Sequence, residues 1–126
     1  MLFRSYGYGE AAGFSETLQA VSGHRFADAL TEPGEDDISA HVDFAALAQA
    51  GARGGAAVFG PVTQGVFLAN IGIVERAEQL MKTNPGEAQA LLTATERLIG
   101  NEQMGRLFKV LAFAPPVLGG MAGFGP

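Results

Sequence analysis

The sequence contains no cysteine, which excludes disulfide bonds, thiolate chemistry and cysteine-ligated metals. Positive charge is also scarce. The eight lysines and arginines are scattered singly, and the net charge of −5 disfavours a nucleic-acid-binding protein, which would carry a basic face. No apolar run approaches the roughly 20 residues that span a bilayer, and the N-terminal run is too short for a signal peptide. We therefore expect a soluble, cytoplasmic protein that binds neither nucleic acid nor membrane.

The chain does contain enough apolar material for one core, with 48% hydrophobic residues in 126. The rest of the chain is predicted to pack around residues 56–73. The apolar run Ala56–Phe59 predicts a short buried strand, and Thr63 is a suitable N-cap for the helix that follows. A strand that turns into a capped helix leaves polar groups at its end, where α/β proteins usually bind ligands. Thr63 and Gln64 are therefore candidate binding residues. The alternative is that Thr63 only caps the helix and Gln64 only faces water.

Apolar spacing and capping residues predict the remaining elements. The two further strands are Leu2–Tyr8 and Leu107–Ala114, the second buried on both faces because its apolar run is broken only by one lysine. A buried helix over Leu107–Ala114 is the alternative, since periodicity alone does not distinguish the two. Further helices begin after Asp43, at Ile73 and after Asn84. Asp43 and Asn84 are the predicted N-caps, and the last helix ends before Gly100.

Two segments carry no such pattern. We interpret residues 10–40 as a long loop, and its acidic residues as a solvated surface, since they lack the alternating spacing of a calcium loop and a neighbouring histidine. Those acids are Glu32, Glu35, Asp36 and Asp37. The Gly- and Pro-rich residues 115–126 are predicted to be a disordered tail, so residues 1–114 form the folded part.

The order of strands and helices predicts an α/β fold, and its two β–α–β passages predict a mainly parallel sheet. Roughly three strands make a small sheet. Leu2–Tyr8 and Leu107–Ala114 would each expose an unpaired edge unless other strands cover them. The sheet is therefore expected to be incomplete on its own.

Four stretches, taken together and in unbroken order, resemble one family. They are residues 19–24 (QAVSGH), 40–44 (AHVDF), 60–65 with 67–68 and 72–73 (GPVTQG, FL and GI), and 104–105 with 108–110 (MG and FKV). The family they resemble is the MidA-like (DUF185) class I S-adenosylmethionine-dependent methyltransferases. It includes the mitochondrial complex I assembly factor that methylates an arginine of a partner subunit. The resemblance covers about residues 6–114 and only the C-terminal part of that family.

The resemblance implies a C-terminal part of a Rossmann-like methyltransferase sheet, with the predicted strands as its fifth, sixth and antiparallel seventh. The Gly-rich loop that holds S-adenosylmethionine should then lie upstream of Met1, so this chain alone is expected to bind no cofactor. The glycines at 51–55 precede a strand instead of following one and do not substitute for that loop. Residues 1–4 depart from the family's apolar strand, and Ser5 stands where the family usually has an acidic residue.

The resemblance also implies where an acceptor would bind and what it is. Tyr6, Thr63 and Gln64 would face the groove at the strand ends, with His24 or His41 in the loop above it. The catalytic residues stay unknown, and no metal is expected. The acceptor would be a protein arginine, in the family a subunit of respiratory complex I, and the eukaryotic relatives are mitochondrial.

Two other readings stay open. The chain can be a non-catalytic module that hides its open sheet edge against a partner or in a homodimer. It can also be a small enzyme that uses His24 or His41 with Asp43, although a lone histidine before a helix is more often structural.

Overall fold

The structure, a computed structural model, describes residues 1–8, 18–22, 25–27 and 37–125. Its strands are β1 (Leu2–Tyr8), β2 (Leu18–Ser22), β3 (Arg25–Ala27), β4 (Asp37–Ala40), β5 (Val42–Asp43), β6 (Ala57–Thr63) and β7 (Phe108–Ala114). Its helices are α1 (Phe44–Arg53), α2 (Gln64–Asn70), α3 (Ile73–Thr83), α4 (Ala88–Ile99) and α5 (Met104–Leu107). The predicted α/β class is confirmed, and every predicted strand and helix has its counterpart.

The main sheet has the strand order β5–β1–β7–β6. Strand β7 runs antiparallel to both β1 and β6, so these two strands are parallel to each other but do not touch. The short β5 pairs in parallel with the end of β1, where Gly7 lies opposite Val42. The prediction of a mainly parallel sheet is therefore wrong, whereas the antiparallel strand that the resemblance implied at residues 107–114 is confirmed, and β1 and β6 cover both of its edges. Strand order depends on pairing between distant residues, which the order of elements along the chain does not determine.

Strand β7 lies at the centre of the core, which confirms the prediction that it is buried on both faces. Val110, Leu111 and Ala112 are each at most 1% exposed. On one face the Phe113 ring packs edge-on against Phe3, with ring centroids 5.6 Å apart, and α1 covers this face. On the other face α2 and α5 contact β6 and β7, and α3 packs outside them against α4. The sheet is thus enclosed between one helix and a layer of several helices.

The predicted N-caps of α1 and α2 are confirmed. The Asp43 carboxylate accepts a hydrogen bond from Ala46 N at 2.9 Å, and the Thr63 hydroxyl accepts one from Val66 N at 3.4 Å. The predicted cap at Asn84 is wrong, because its side-chain amide donates back to Leu80 O of the preceding helix. A single 3₁₀ turn that begins with Pro85 leads into α4 instead.

Part of the predicted loop over residues 10–40 forms a second sheet, so that prediction is wrong for the strands concerned. Strand β2 lies between β3 and β4 and pairs antiparallel with both. Each of these strands has only three to five residues, too few for an alternating pattern to stand out from the turn formers around it. Asp37 begins β4, while Glu32, Glu35 and Asp36 lie outside the described residues.

The C-terminal segment is packed against the fold, in contrast to the predicted disorder from residue 115. The Phe124 ring lies 5.3 Å from that of Phe67 and 6.1 Å from that of Phe59, measured between centroids. The Asn70 side chain also donates to Gly123 O at 3.2 Å. One aromatic residue therefore anchors a segment whose glycines and prolines suggest no structure. Within the described residues, none of the helices has the length and apolar character needed to cross a membrane.

Candidate functional site

A cleft of about 450 Å³ opens where β1 ends and β7 begins. Its walls come from the end of β1, from the residue before β5, and from the segment that joins α4 to β7. The lining residues are Tyr6, Gly7, His41, Asn101, Glu102, Gln103, Arg106, Leu107 and Lys109. The cleft lies at the carboxyl end of β1, which is the edge of an α/β sheet where ligands usually bind.

Two of the predicted site residues, Tyr6 and His41, meet in this cleft. Tyr6 is 43% exposed, and its ring lies on that of its cross-strand partner Phe108, with centroids 4.1 Å apart. His41 is half-buried and directly precedes β5. The two residues are brought together by the pairing of Gly7 with Val42, a contact between elements far apart in the sequence.

Glycine at position 7 allows this approach. A Cβ atom there would collide with Val42 O and lie 2.7 Å from the Phe44 ring. The wall that carries His41 can therefore lie this close to β1 only because residue 7 has no side chain.

Arg106 and Lys109 give the cleft positive charge, and the sequence patterns did not indicate either of them. The Lys109 ammonium donates to Arg106 O at 2.6 Å, which fixes the end of this side chain. Partial burial, and secondly the nearby charge of Arg106, lower the pKa of Lys109 from its ordinary value. The one available signal was a lone lysine at the start of an otherwise apolar strand.

The lowered pKa of Lys109 predicts a pH dependence of stability. Between the lowered pKa and the ordinary value near 10.5, the unfolded chain binds more protons at this residue than the folded chain. The free energy of unfolding should therefore rise with pH through this interval, relative to that of Lys109→Gln. Urea unfolding at a series of pH values from neutral to 10.5 tests this, with the exposed Lys82→Gln as the control. Parallel curves for wild type and Lys109→Gln would contradict it.

Gln64 lies outside the cleft, and the alternative that it only faces water is wrong. It is 2% exposed, so it faces neither the groove nor water. Its amide nitrogen donates to Leu98 O at 2.7 Å, and its amide oxygen accepts a hydrogen bond from Arg4 Nε. The Arg4 guanidinium also lies 3.9 Å from the centroid of the Phe108 ring. Gln64 therefore joins β1 to the end of α4 as a structural residue.

Replacing Gln64 with leucine is expected to destabilise the fold by about 2–3 kcal/mol, because the Leu98 carbonyl and the Arg4 guanidinium would lose their partner. Chemical denaturation measures this directly. Gln49→Leu on the exposed side of α1 is the control and should change stability by less than about 0.5 kcal/mol. Equal stabilities of the two variants would show that the buried amide contributes little.

The remaining predicted residues are distributed as follows. Thr63 caps α2 and lies opposite Lys109 in the β6–β7 register, but it does not line the cleft. His24 lies outside the described residues. Ser5, where the resembled family has an acid, also lies opposite Lys109, from the β1 side. Residues 1–4, whose sequence departs from that family, are hydrogen-bonded to β7 along one side, with Leu2 opposite Ala112.

The sequence matches one known family and several curated relatives. The family, described as "Putative S-adenosyl-L-methionine-dependent methyltransferase", matches residues 1–62. The mitochondrial protein arginine methyltransferase NDUFAF7 of Mus musculus is 36% identical over 110 residues, which are 86% of this chain and 25% of that protein. Its mitochondrial homolog in Drosophila melanogaster is 38% identical over 113 residues, 88% of this chain and 26% of that protein.

The fold is similar to two crystal structures of COG1565 superfamily proteins from Burkholderia thailandensis. The first has a TM-score of 0.84 and 32% sequence identity, and the match covers 98% of this chain and 34% of that one. The second, bound to S-adenosyl-homocysteine, has a TM-score of 0.81 and 32% identity over 98% of this chain and 33% of that one. This chain therefore spans about a quarter of the curated relatives and a third of the solved chains.

Proposed function

Because this chain belongs to the MidA-like family of S-adenosylmethionine-dependent methyltransferases, we propose that it takes part in methyl transfer to a protein arginine. Its contribution is the acceptor side of the site, at the cleft between β1 and β7. The position of this cleft carries the proposal: it opens at the carboxyl end of a strand, in a fold similar to that of a protein bound to S-adenosyl-homocysteine.

The cleft offers groups suited to a guanidinium. The exposed Tyr6 ring provides an aromatic face, on which a guanidinium can stack. Glu102 provides a carboxylate that can accept its N–H groups and take up a proton as the nitrogen is methylated. His41 lines the same cleft from the segment before β5, and a neutral imidazole there can serve as a second proton acceptor. These groups would orient the accepting nitrogen toward the methyl donor.

S-adenosylmethionine would supply a methyl group on a positively charged sulfur, and we propose that this chain alone does not bind it. Gly54 and Gly55 end α1 and precede β6, the reverse of the strand–loop–helix order of a cofactor-binding loop. The cofactor would then be held by the part of the family fold that this chain does not match. The matched animal relatives are named mitochondrial proteins, while for this chain we keep the cytoplasm as the proposed location.

A chimera tests the acceptor role. In it, this chain replaces the matching quarter of mouse NDUFAF7, and methylated arginine in its protein substrates is measured by mass spectrometry. We expect retained transfer, and a loss of about tenfold or more when Tyr6→Ala and Glu102→Gln are combined. Exposed Glu78→Gln on α3 is the control. A chimera that melts cooperatively and binds S-adenosyl-homocysteine, yet methylates no arginine, would contradict the proposal. A respiratory complex I subunit is the first substrate to test.

A second proposal concerns the open edge of β1. Of the described strands, only β7 pairs with Leu2–Ser5, and Leu2 is 54% exposed beside this edge. Such an edge favours association with another strand, so a homodimer or a purely interacting role is the alternative function. Analytical ultracentrifugation of the chain should then show a dimer that Leu2→Lys weakens. A monomer at all concentrations, together with an active chimera, would exclude this alternative.

A further inference from the structure

We propose that the positive part of the cleft binds a carboxylate of the acceptor protein, an aspartate or glutamate side chain close to the accepting arginine. This inference rests on the proposed function. It adds that the acceptor protein carries an acidic residue near the arginine that is methylated. The carboxylate would lie between the guanidinium of Arg106 and the ammonium of Lys109.

The geometry of these two cations favours an anion between them. Both line the same cleft, and the Lys109 ammonium is held in place by its hydrogen bond to the backbone oxygen of Arg106. Arg106 is exposed and lines the cleft, and its guanidinium carries five N–H donors. A carboxylate can accept from both side chains at once, which forms charge-assisted hydrogen bonds of the stronger kind.

The electrostatics point the same way. The ammonium of Lys109 is disfavoured by partial burial and by the like charge of Arg106, which together lower its pKa. A bound carboxylate would offset both effects, since it supplies an opposite charge beside the two cations. A partly buried lysine beside a second cation gains more from an anion than a solvated surface lysine does.

The charges in the cleft favour a single carboxylate over a polyanion. Its titratable residues are Arg106, Lys109, Glu102, His41 and Tyr6, so the positive charges exceed the negative ones. The whole chain, in contrast, has a net charge of −5, which repels a polyanion such as nucleic acid. A single carboxylate beside a cationic arginine matches this pattern, because the arginine can approach Glu102 while the carboxylate approaches Arg106 and Lys109.

Peptide binding to the full chain tests this inference. Calorimetry would compare four amidated Gly/Ser peptides that carry arginine and glutamate, arginine and glutamine, glutamate alone, or neither charged residue. We expect the arginine–glutamate peptide to bind about tenfold more tightly than the arginine–glutamine peptide. This preference should weaken as salt is raised. Arg106→Gln should abolish it, and Lys109→Arg should retain it. Arg76→Gln, at an exposed position on α3, is the matched control.

The outcomes separate the two proposals. Equal binding of the glutamate and glutamine peptides, or an undiminished preference in a folded Arg106→Gln variant, would overturn the carboxylate site. If glutamate alone binds as tightly as arginine with glutamate, the carboxylate site stands and the arginine-acceptor function fails at this cleft. Competition by inorganic phosphate as strong as that by the peptide would show a general anion site and overturn the assignment to a substrate side chain. Thermal melting of each variant first confirms that it is folded.

Discussion

Replacing Gly105 with alanine is expected to destabilise the chain by about 3–5 kcal/mol. Gly105 is buried in α5, and a Cβ atom there would overlap the carbonyl group of Ile99 and lie 2.8 Å from Gly100 O. All of these are backbone atoms at the end of α4, so no side chain can rotate to make room. The segment that forms one wall of the cleft would have to move away from α4.

Urea unfolding measures this loss, and Gly86→Ala provides the matched control. No atom lies within 4 Å of a Cβ at Gly86, so that substitution should change stability by less than about 1 kcal/mol. Peptide binding should also weaken in the Gly105 variant under conditions where it is still folded, because Asn101–Lys109 carries most of the cleft lining. A Gly105→Ala variant as stable as Gly86→Ala would show that α4 and α5 are not packed as described.

Replacing Phe44 with alanine is expected to cost a similar amount, about 3–5 kcal/mol, for a different reason. Phe44 is fully buried as the first residue of α1, and its ring lies directly under Gly7 at the end of β1. Truncation would remove this aromatic contact and leave a cavity between α1 and the sheet. Because Phe44 supports the pairing of Gly7 with Val42, the position of His41 in the cleft should also become less fixed.

A graded series separates the cavity from other effects. Phe44→Leu keeps most of the volume and should cost about 1–2 kcal/mol, clearly less than Phe44→Ala. Leu92→Ala, at a position 41% exposed on α4, is the control for the removal of an apolar side chain at the surface. If both Phe44 variants lost the same stability as Leu92→Ala, this ring would not be part of the core.

The sequence predicts those parts of the fold that depend on neighbouring residues. The caps at Asp43 and Thr63 were predictable because a cap joins residues only three apart. The strand at 2–8 and the long helix that ends at Ile99 were predictable from apolar spacing within one element. In each case the interactions that form the element are local and visible in a short window.

The features that were missed depend on contacts between distant residues. The central position of β7 follows from its pairing with β1 near the N-terminus and with β6 in the middle of the chain. The position of Gln64 directly after a strand suggests a surface residue. Its amide nitrogen instead donates to a backbone carbonyl 34 residues later. The three short strands of the second sheet are defined by their pairing with one another, because each is too short to show a distinct sequence pattern. Tertiary contacts decide all three, and local propensity does not encode them.

The site shows the same division. Tyr6 and His41 were predicted from strand ends and from family resemblance, and they do share one cleft. Arg106 and Lys109 were not predicted, since a turn and an apolar strand contain no catalytic spacing. The structure reveals them as neighbours, because the Lys109 ammonium donates to the backbone oxygen of Arg106 and the charge of Arg106 contributes to the lowered pKa of Lys109.

The anchored Phe124 has a practical consequence for handling the chain. Its ring covers Phe59 and Phe67, and the adjacent Gly123 is buried in a left-handed conformation with φ of 93°. An affinity tag joined directly after this segment would crowd that aromatic cluster, so a flexible spacer is needed. Trimming the same segment to aid crystallisation would instead uncover two phenylalanine rings and lower the solubility of the preparation.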